Sequence, residues 1–257
     1  MNIFKQLFTS IYSPRTISTF RFQGIGKTIL FVFILTLVST IPSAYYFGTE
    51  ISNGLKGFHE TIKNELPAFS IKDGELSADS DTPLEIRHDD FIIVLDDTGT
   101  NGVEELEEME NAIGILKDRF VIAAAGQVQS YEYRLLNMTL TNEDIINFSE
   151  GLNQILPIVN TVFIVFMFLF GAFFKFLEVT LLALFGLMFK NSLQRQLNFK
   201  QIWIVSAYAT TLATAFFFIM DCLQISVPSG FLLNWFVNII VLFLSLKEIP
   251  PTTKALQ

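Results

Sequence analysis

The chain has 257 residues, 51% of them hydrophobic and only 16% charged, with 28 phenylalanines. Soluble domains carry about 25% charge, so the composition argues against a soluble enzyme or nucleic-acid binder and for a membrane protein. The net charge of −8 hides a strong asymmetry: residues 1–27 hold Lys5, Arg15, Arg21 and Lys27 with no acid, whereas residues 48–150 hold 22 acids against 7 bases. With Cys222 as the single cysteine, neither an intrachain disulfide nor a cysteine-based metal site is available.

The leader places Ile3, Phe4, Leu7, Phe8, Ile11 and Tyr12 at helical spacing, with Lys5 and Gln6 off that stripe. This is the pattern of an interfacial helix on the cytoplasmic leaflet. Pro14 disfavours helical geometry at Ser13 and ends the helix there.

Four uncharged stretches follow, at 28–49, 151–174, 201–220 and 222–246. Each has the roughly 20 residues that carry a helix across about 30 Å of hydrocarbon. A fifth apolar piece, 179–189, is too short to cross alone. It continues the second helix past Lys175 and Glu178 or lies along the interface. Those two charges are three residues apart, hence on one helical face where they can pair. The first stretch is too long, and its leader too extended, for a cleaved signal peptide, so it reads as a signal anchor.

Basic residues near helix ends set orientation. They place 1–27, the loop 190–200 with Lys190, Arg195 and Lys200, and the tail 247–257 in the cytoplasm. The acidic region 50–150 is then exported. The expected fold is an α-helical membrane protein of about four transmembrane helices with a small α+β extracytoplasmic domain between the first and second. Its segments are a basic amphipathic leader (1–27), helix 1 (28–49), the exported domain (50–150), helix 2 with its extension (151–189), a basic loop (190–200), helix 3 (201–221), helix 4 (222–246) and the tail.

Within the exported region, 50–66 continues in helical style and stops at Pro67. "AFSIKDGELSA" carries a Lys-Asp-Gly-Glu hairpin signal. "PLEIRHDDFIIVLD" reads as two strands joined at His88-Asp89-Asp90, "VEELEEMENA" as an acidic helix, and "ILKDRFVIAAAG" and "VQSYEYRLLNMTL" as two or three more strands. "TNEDIINFSEGLNQIL" opens with Thr141 and Asp144 in a capping-box-like start that leads into helix 2.

"FIIVLDDTGT" raises the question of catalysis. A strand running into Asp96-Asp97-Thr98-Gly99 resembles the nucleophilic aspartate of phosphotransferases, and Asp97-Thr98-Gly99 resembles half of an aspartic-protease dyad. Export removes the aspartates from cytoplasmic nucleotide, and no second Asp-Thr-Gly exists to share a proton. The remaining reading is a buried strand, 91–95, capped and turned by Asp-Asp-Thr-Gly. Asp79, Asp81, Asp89, Asp90, Asp96 and Asp97 offer hard oxygens but no calcium-loop spacing. His59 and His88 lack metal-ligand spacing. No catalytic, metal or cofactor-binding residue is therefore assigned, and no cofactor is expected. The residues retained as functional candidates are Asp96, Asp97, Thr98, Gly99, Lys175, Glu178 and Asp221. The last three are ionisable groups close to apolar runs, expected at span ends where they reach water. Asn160, Asn234 and Asn238 are expected to hydrogen-bond between packed helices.

"FKQLFTSIYSPRTISTFRFQGIGKTILFVFIL", "LPAFSIKDGEL" and "IIVLDDTG", in that order, resemble the YvdJ-like bacterial membrane proteins, a family carrying a domain of unknown function (DUF1189). The resemblance implies a Gram-positive plasma membrane and adds no catalytic residue. Some members carry a maltodextrin-utilisation label, which implies a link to sugar uptake. The exported region itself has few aromatics to build a sugar platform. The expected function is that of a non-enzymatic accessory or regulatory subunit, whose outer domain binds an envelope protein or ligand. Its other partner is the lipid bilayer; no nucleic acid is expected, and a homo-oligomer stays open. The alternatives are a small-solute transporter component using Lys175, Glu178 and Asp221, and an extracytoplasmic aspartic hydrolase using Asp97.

Overall fold

The computed structural model describes residues 1–80, 82–88, 91–109, 111–135 and 139–251. The chain divides into two compact units, one formed by 1–47 with 161–257 and the other by 48–160. Two long helices, α3 (Ile25–Asn64) and α5 (Asn142–Ser192), contribute to both.

The first unit is helical. Its leader folds as α1 (Ile3–Tyr12), α2 (Pro14–Thr19) and a 3₁₀ turn (Phe20–Phe22). Pro14 ends one helix and starts the next, because its fixed φ and missing N–H suit a first helical position. Ser13 Oγ accepts the N–H of Thr16 and caps α2. The remaining helices are α6 (Phe199–Ala209), α7 (Thr211–Cys222) and α8 (Gly230–Lys247). Across Thr210, α6 and α7 join into one 24-residue apolar helix. Among the described residues, four helices are long and apolar enough to cross a membrane: α3, α5, the joined α6–α7, and α8.

The centre of this unit is α6, in which every residue from 202 to 209 is buried. Phe31 and Phe20 pack on Tyr208 with ring centroids 4.0 and 4.5 Å away. Gly186 of α5 lets Ile202 approach so closely that a Cβ there would overlap Ile202 Cγ2. Close backbone approach at a small residue is how helices gain contact where solvent-driven burial is weak.

Two expectations change here. The fourth apolar stretch does not start its helix at residue 222 but at Gly230. Pro228 restricts the preceding residue, and Gln224 and Ser229 adopt left-handed backbone that interrupts the helix between α7 and α8. The leader also does not present one apolar stripe to one environment. Ile3 and Leu7 pack on the bundle core beside fully covered Gln6 and Ser10, while Phe4, Phe8 and Tyr12 are exposed.

The second unit is α+β. A three-stranded antiparallel sheet, in the order β2-β1-β8, comprises β1 (Phe69–Lys72), β2 (Glu75–Ala78) and β8 (Leu140–Thr141). Asp73 and Gly74 turn β1 into β2 with φ of 54° and 84°, the doubly positive backbone that the Asp-Gly signal anticipates. A five-stranded sheet runs β3-β4-β5-β6-β7 through β3 (Leu84–Arg87), β4 (Ile92–Asp96), β5 (Asn111–Leu116), β6 (Arg119–Ala124) and β7 (Gln127–Glu132). All neighbours in it are antiparallel except β4 and β5, which are parallel and joined through the short helix α4 (Val103–Glu107). The acidic helix is thus shorter than its sequence suggests, since Asn111 and Ala112 already belong to β5.

Both faces of the central strands are covered, which accounts for the unbroken apolar run before Asp96. Ile93, Leu95 and Ile115 pack with Ile62, Phe69 and Ile71, while Val94, Leu116 and Val121 pack with Leu106 of α4. Gly114 leaves room for Leu106 to lie against the sheet. Thr141 and Asp144 exchange hydrogen bonds at the start of α5, Thr141 N–H donating to Asp144 Oδ2 at 2.9 Å and Asp144 N–H to Thr141 Oγ1 at 3.3 Å. The Asp81, Asp89, Asp90 and Lys254 positions lie outside the described residues, as does 136–138 in the "VQSYEYRLLNMTL" stretch.

Candidate functional site

Uninterrupted helix through 142–192 carries Lys175 and Glu178 into the first unit one turn apart on α5. Their side chains are only 15% and 13% exposed, and Lys175 Nζ lies 2.8 Å from Glu178 Oε2. The pair is therefore largely enclosed by helices. The other Glu178 oxygen, Oε1, accepts from Asn234 Nδ2 at 2.6 Å and Asn238 Nδ2 at 2.7 Å. Both amides sit on one face of α8 because they are four residues apart. Lys175 also donates to Thr214 Oγ1 of α7 at 3.2 Å. The Thr214 hydroxyl in turn donates a hydrogen bond to the Thr210 carbonyl.

Three helices are thus tied at one carboxylate and one ammonium. In a low-dielectric bundle, an isolated charge costs several kcal/mol and a paired, hydrogen-bonded one much less. Donation from two amides fixes their orientation and leaves Asn238 Oδ1 covered without a partner among the described residues. The cluster carries no net charge. Beside it an open groove of about 550 Å³ runs past Thr36, Ser39 and Thr40 of α3, Phe174 of α5, and Phe231 and Trp235 of α8. Asn234, Lys175 and Glu178 form part of its wall.

A second buried polar group lies under the leader. Gln6 Nε2 donates to Gln23 Oε1 at 2.9 Å, Tyr208 OH donates to Gln6 Oε1 at 3.0 Å, and Gln23 Nε2 donates to Tyr208 OH. No local pattern signals this ring, because Tyr208 is 185 residues from Gln23. A polar residue inside an otherwise apolar helical stretch was the only available signal.

The candidates in the second unit have structural duties. Asp96 is 1% exposed. Its Oδ1 accepts from Thr98 N–H at 2.8 Å, Thr98 Oγ1 at 2.6 Å and Gly99 N–H at 3.1 Å, and its Oδ2 accepts from Asn101 N–H at 2.6 Å. Burial pushes this carboxyl upward, but the hydrogen bonds from Thr98, Asn101 and Gly99 outweigh it and hold it below the ordinary range. Asp97 Oδ2 accepts the N–H of Ala78 at 2.9 Å and so ties the end of β4 to the end of β2. Gly99 supplies the turn with φ of 79°. These residues cap a strand.

Asp221 sits exposed in the last turn of α7, outside the hydrogen bonds of the Lys175–Glu178 cluster. His59 Nδ1 and Ser149 Oγ are 2.7 Å apart and link α3 to α5 within the second unit. Ser149 Oγ also lies 2.7 Å from the Ile146 carbonyl of its own helix. The pair thus clamps two helices together. His88 stacks on Phe91 at 5.3 Å. Among the described residues, no group of three His, Cys, Asp or Glu side chains is placed to hold a metal ion.

The fold and the cluster define a helical-bundle protein, of dimensions suited to crossing a membrane, that carries a small α+β unit between two of its long helices. Residues 4–246 match the family described as "Protein of unknown function (DUF1189)", and the chain belongs to that family. No curated protein and no solved structure matches it.

Proposed function

We propose that the protein is a non-enzymatic, multi-pass plasma-membrane accessory or regulatory protein of a Gram-positive bacterium. Its 50–150 region faces outward and binds an envelope protein or ligand, and both termini lie in the cytoplasm. The observation that carries this reading is the continuity of α3 and α5, each a single helix contributing to both units. Such shared helices are a physical route by which binding at one unit is reported to the other. The charge pattern supports the orientation, with basic residues 1–27 and 190–200 on one side and acidic 48–150 on the other.

A reporter enzyme that works only outside the cell, fused near Glu107, is expected to be active, and the same reporter fused after Lys247 inactive. The reverse pattern would refute the orientation. Affinity capture from gently solubilised membranes is expected to recover an envelope protein, and deletion of 67–139 to lose it. Capture of nothing by either form would refute the accessory role.

The Lys175–Glu178 cluster beside its groove favours a second reading, as one component of a small-solute transporter. Solute flux into vesicles that survives the charge-neutral double substitution Lys175→Met with Glu178→Gln would eliminate it.

A further inference from the structure

The groove beside Lys175 and Glu178 has a size, polarity and opening that specify an occupant. We propose that it binds a neutral membrane lipid of the diacylglycerol class, an uncharged head with one hydroxyl and ester carbonyls on two hydrocarbon chains. This rests on the membrane reading above.

Volume comes first. About 550 Å³ lies within the 300–1,000 Å³ typical of small-molecule sites. The space takes a lipid head and the first part of its chains.

Charge then restricts the head. Lys175 and Glu178 are the charged residues of the groove wall, and they neutralise each other at 2.8 Å. An anionic or cationic head would add a charge with no counter-charge in a weakly polarisable site. A phosphocholine head is neutral overall but strongly hydrated. The pair is largely covered, its side chains 15% and 13% exposed, with partners on α7 and α8. A head without phosphate packs against it at far lower desolvation cost.

Hydrogen-bond supply fixes the functional groups. A lysine ammonium has three N–H donors. Glu178 and Thr214 take two of them among the described residues, which leaves one for a carbonyl oxygen. Thr36, Ser39 and Thr40 spend their protons on the carbonyls of Val32 and Thr36 at 2.8–3.0 Å. Their oxygens remain able to accept from a ligand hydroxyl. The second N–H of the Asn234 amide also belongs to the wall, so a few donors face several acceptors, which suits ester carbonyls together with an alcohol. The walls then turn apolar, with Leu177, Leu181 and Phe231 at 44%, 40% and 74% exposure, and offer a path for chains.

The test uses the full chain reconstituted in phosphatidylcholine vesicles. Trp235 lines the groove, and the chain has one other tryptophan, Trp203, which is 9% exposed. In a Trp203→Phe background the fluorescence reports on Trp235 alone. Brominated diacylglycerol at a few mole per cent is expected to quench it roughly ten times more, per mole, than brominated phosphatidylcholine or phosphatidylglycerol. Unlabelled diacylglycerol should restore the signal. Ser39→Phe, which fills the groove, and the double substitution Lys175→Met with Glu178→Gln, which keeps its volume, should each abolish the preference. Equal quenching by all three lipids, preference for the anionic one, or a preference that survives both variants would overturn the proposal. So would resistance of Trp235 to every brominated lipid, the result expected if another protein surface covers the groove. Vesicle flotation separates the two levels: failure to float with lipid refutes the membrane reading itself, whereas flotation without preference refutes the lipid site alone.

Discussion

Glu178 of α5 receives three hydrogen bonds from three residues on two helices: Lys175 on its own helix, and Asn234 and Asn238 on α8. Removing one charge of such a pair leaves the other buried and uncompensated, at a cost of about 3–5 kcal/mol. Glu178→Gln and Lys175→Met are each expected to lower the unfolding midpoint sharply in detergent or lipid. The double substitution should recover most of the loss. Thermal unfolding of all three variants checks this, and a double variant as unstable as the sum of the singles contradicts it.

Asp96 supports a pH prediction. Its folded-state carboxyl is held below the ordinary range, near pH 3.9 for an unfolded aspartate. A depressed folded-state value stabilises the fold above the unfolded value, and the contribution disappears as pH falls through the folded one. Asp96→Asn should therefore destabilise the α+β unit at neutral pH, by about 1.5–3 kcal/mol for each charge-assisted bond lost and not replaced. The difference from wild type should shrink on acidification below about pH 4. Unfolding curves of both proteins from pH 7 to pH 2.5 provide the measurement.

Packing at Gly186 predicts a contrast between two glycines. A Cβ there meets Ile202 Cγ2, whereas one at Gly26 meets nothing within 4 Å. Gly186→Ala is expected to cost about 1–3 kcal/mol through overpacking. Gly26→Ala should be neutral or slightly stabilising, because alanine is the better helix former. Comparable midpoints for the two variants would show that α5 and α6 are not in close contact.

Tyr208→Phe removes the hydroxyl that donates to Gln6 and accepts from Gln23. The two amides lose a partner in a buried site, at about 1–3 kcal/mol. Trypsin cleavage after Arg15, followed over time, should be faster in the variant. An unchanged rate would mean that the hydroxyl does not hold the leader.

Features carried by neighbouring residues were legible in the sequence. The Lys72-Asp73-Gly74-Glu75 hairpin and the Thr141–Asp144 cap appear where their short-range chemistry placed them. The apolar stretches became long helices for the same reason, since twenty uncharged residues specify a helix without reference to any partner. Pairings made over distance were not legible. Parallel β4 and β5 depend on a crossover through α4, and Gln6 is buried only because Gln23 and Tyr208 meet it. Spacing identified Lys175 and Glu178 as a pair, and their place in apolar spans marked Asn160, Asn234 and Asn238 as helix-joining amides. That Asn234 and Asn238 meet the pair at one carboxylate follows from the fold.

The ring of Gln6, Gln23 and Tyr208 also has a consequence for biosynthesis. Gln6 and Gln23 are synthesised before the side chain that completes their ring, which emerges 185 residues after Gln23. Until then Gln6 and Gln23 have no Tyr208 to bind, so the nascent leader stays in water or at the lipid surface. Chains truncated before α6 should keep α1 and α2 undocked, and settling of this segment should be among the last events of assembly.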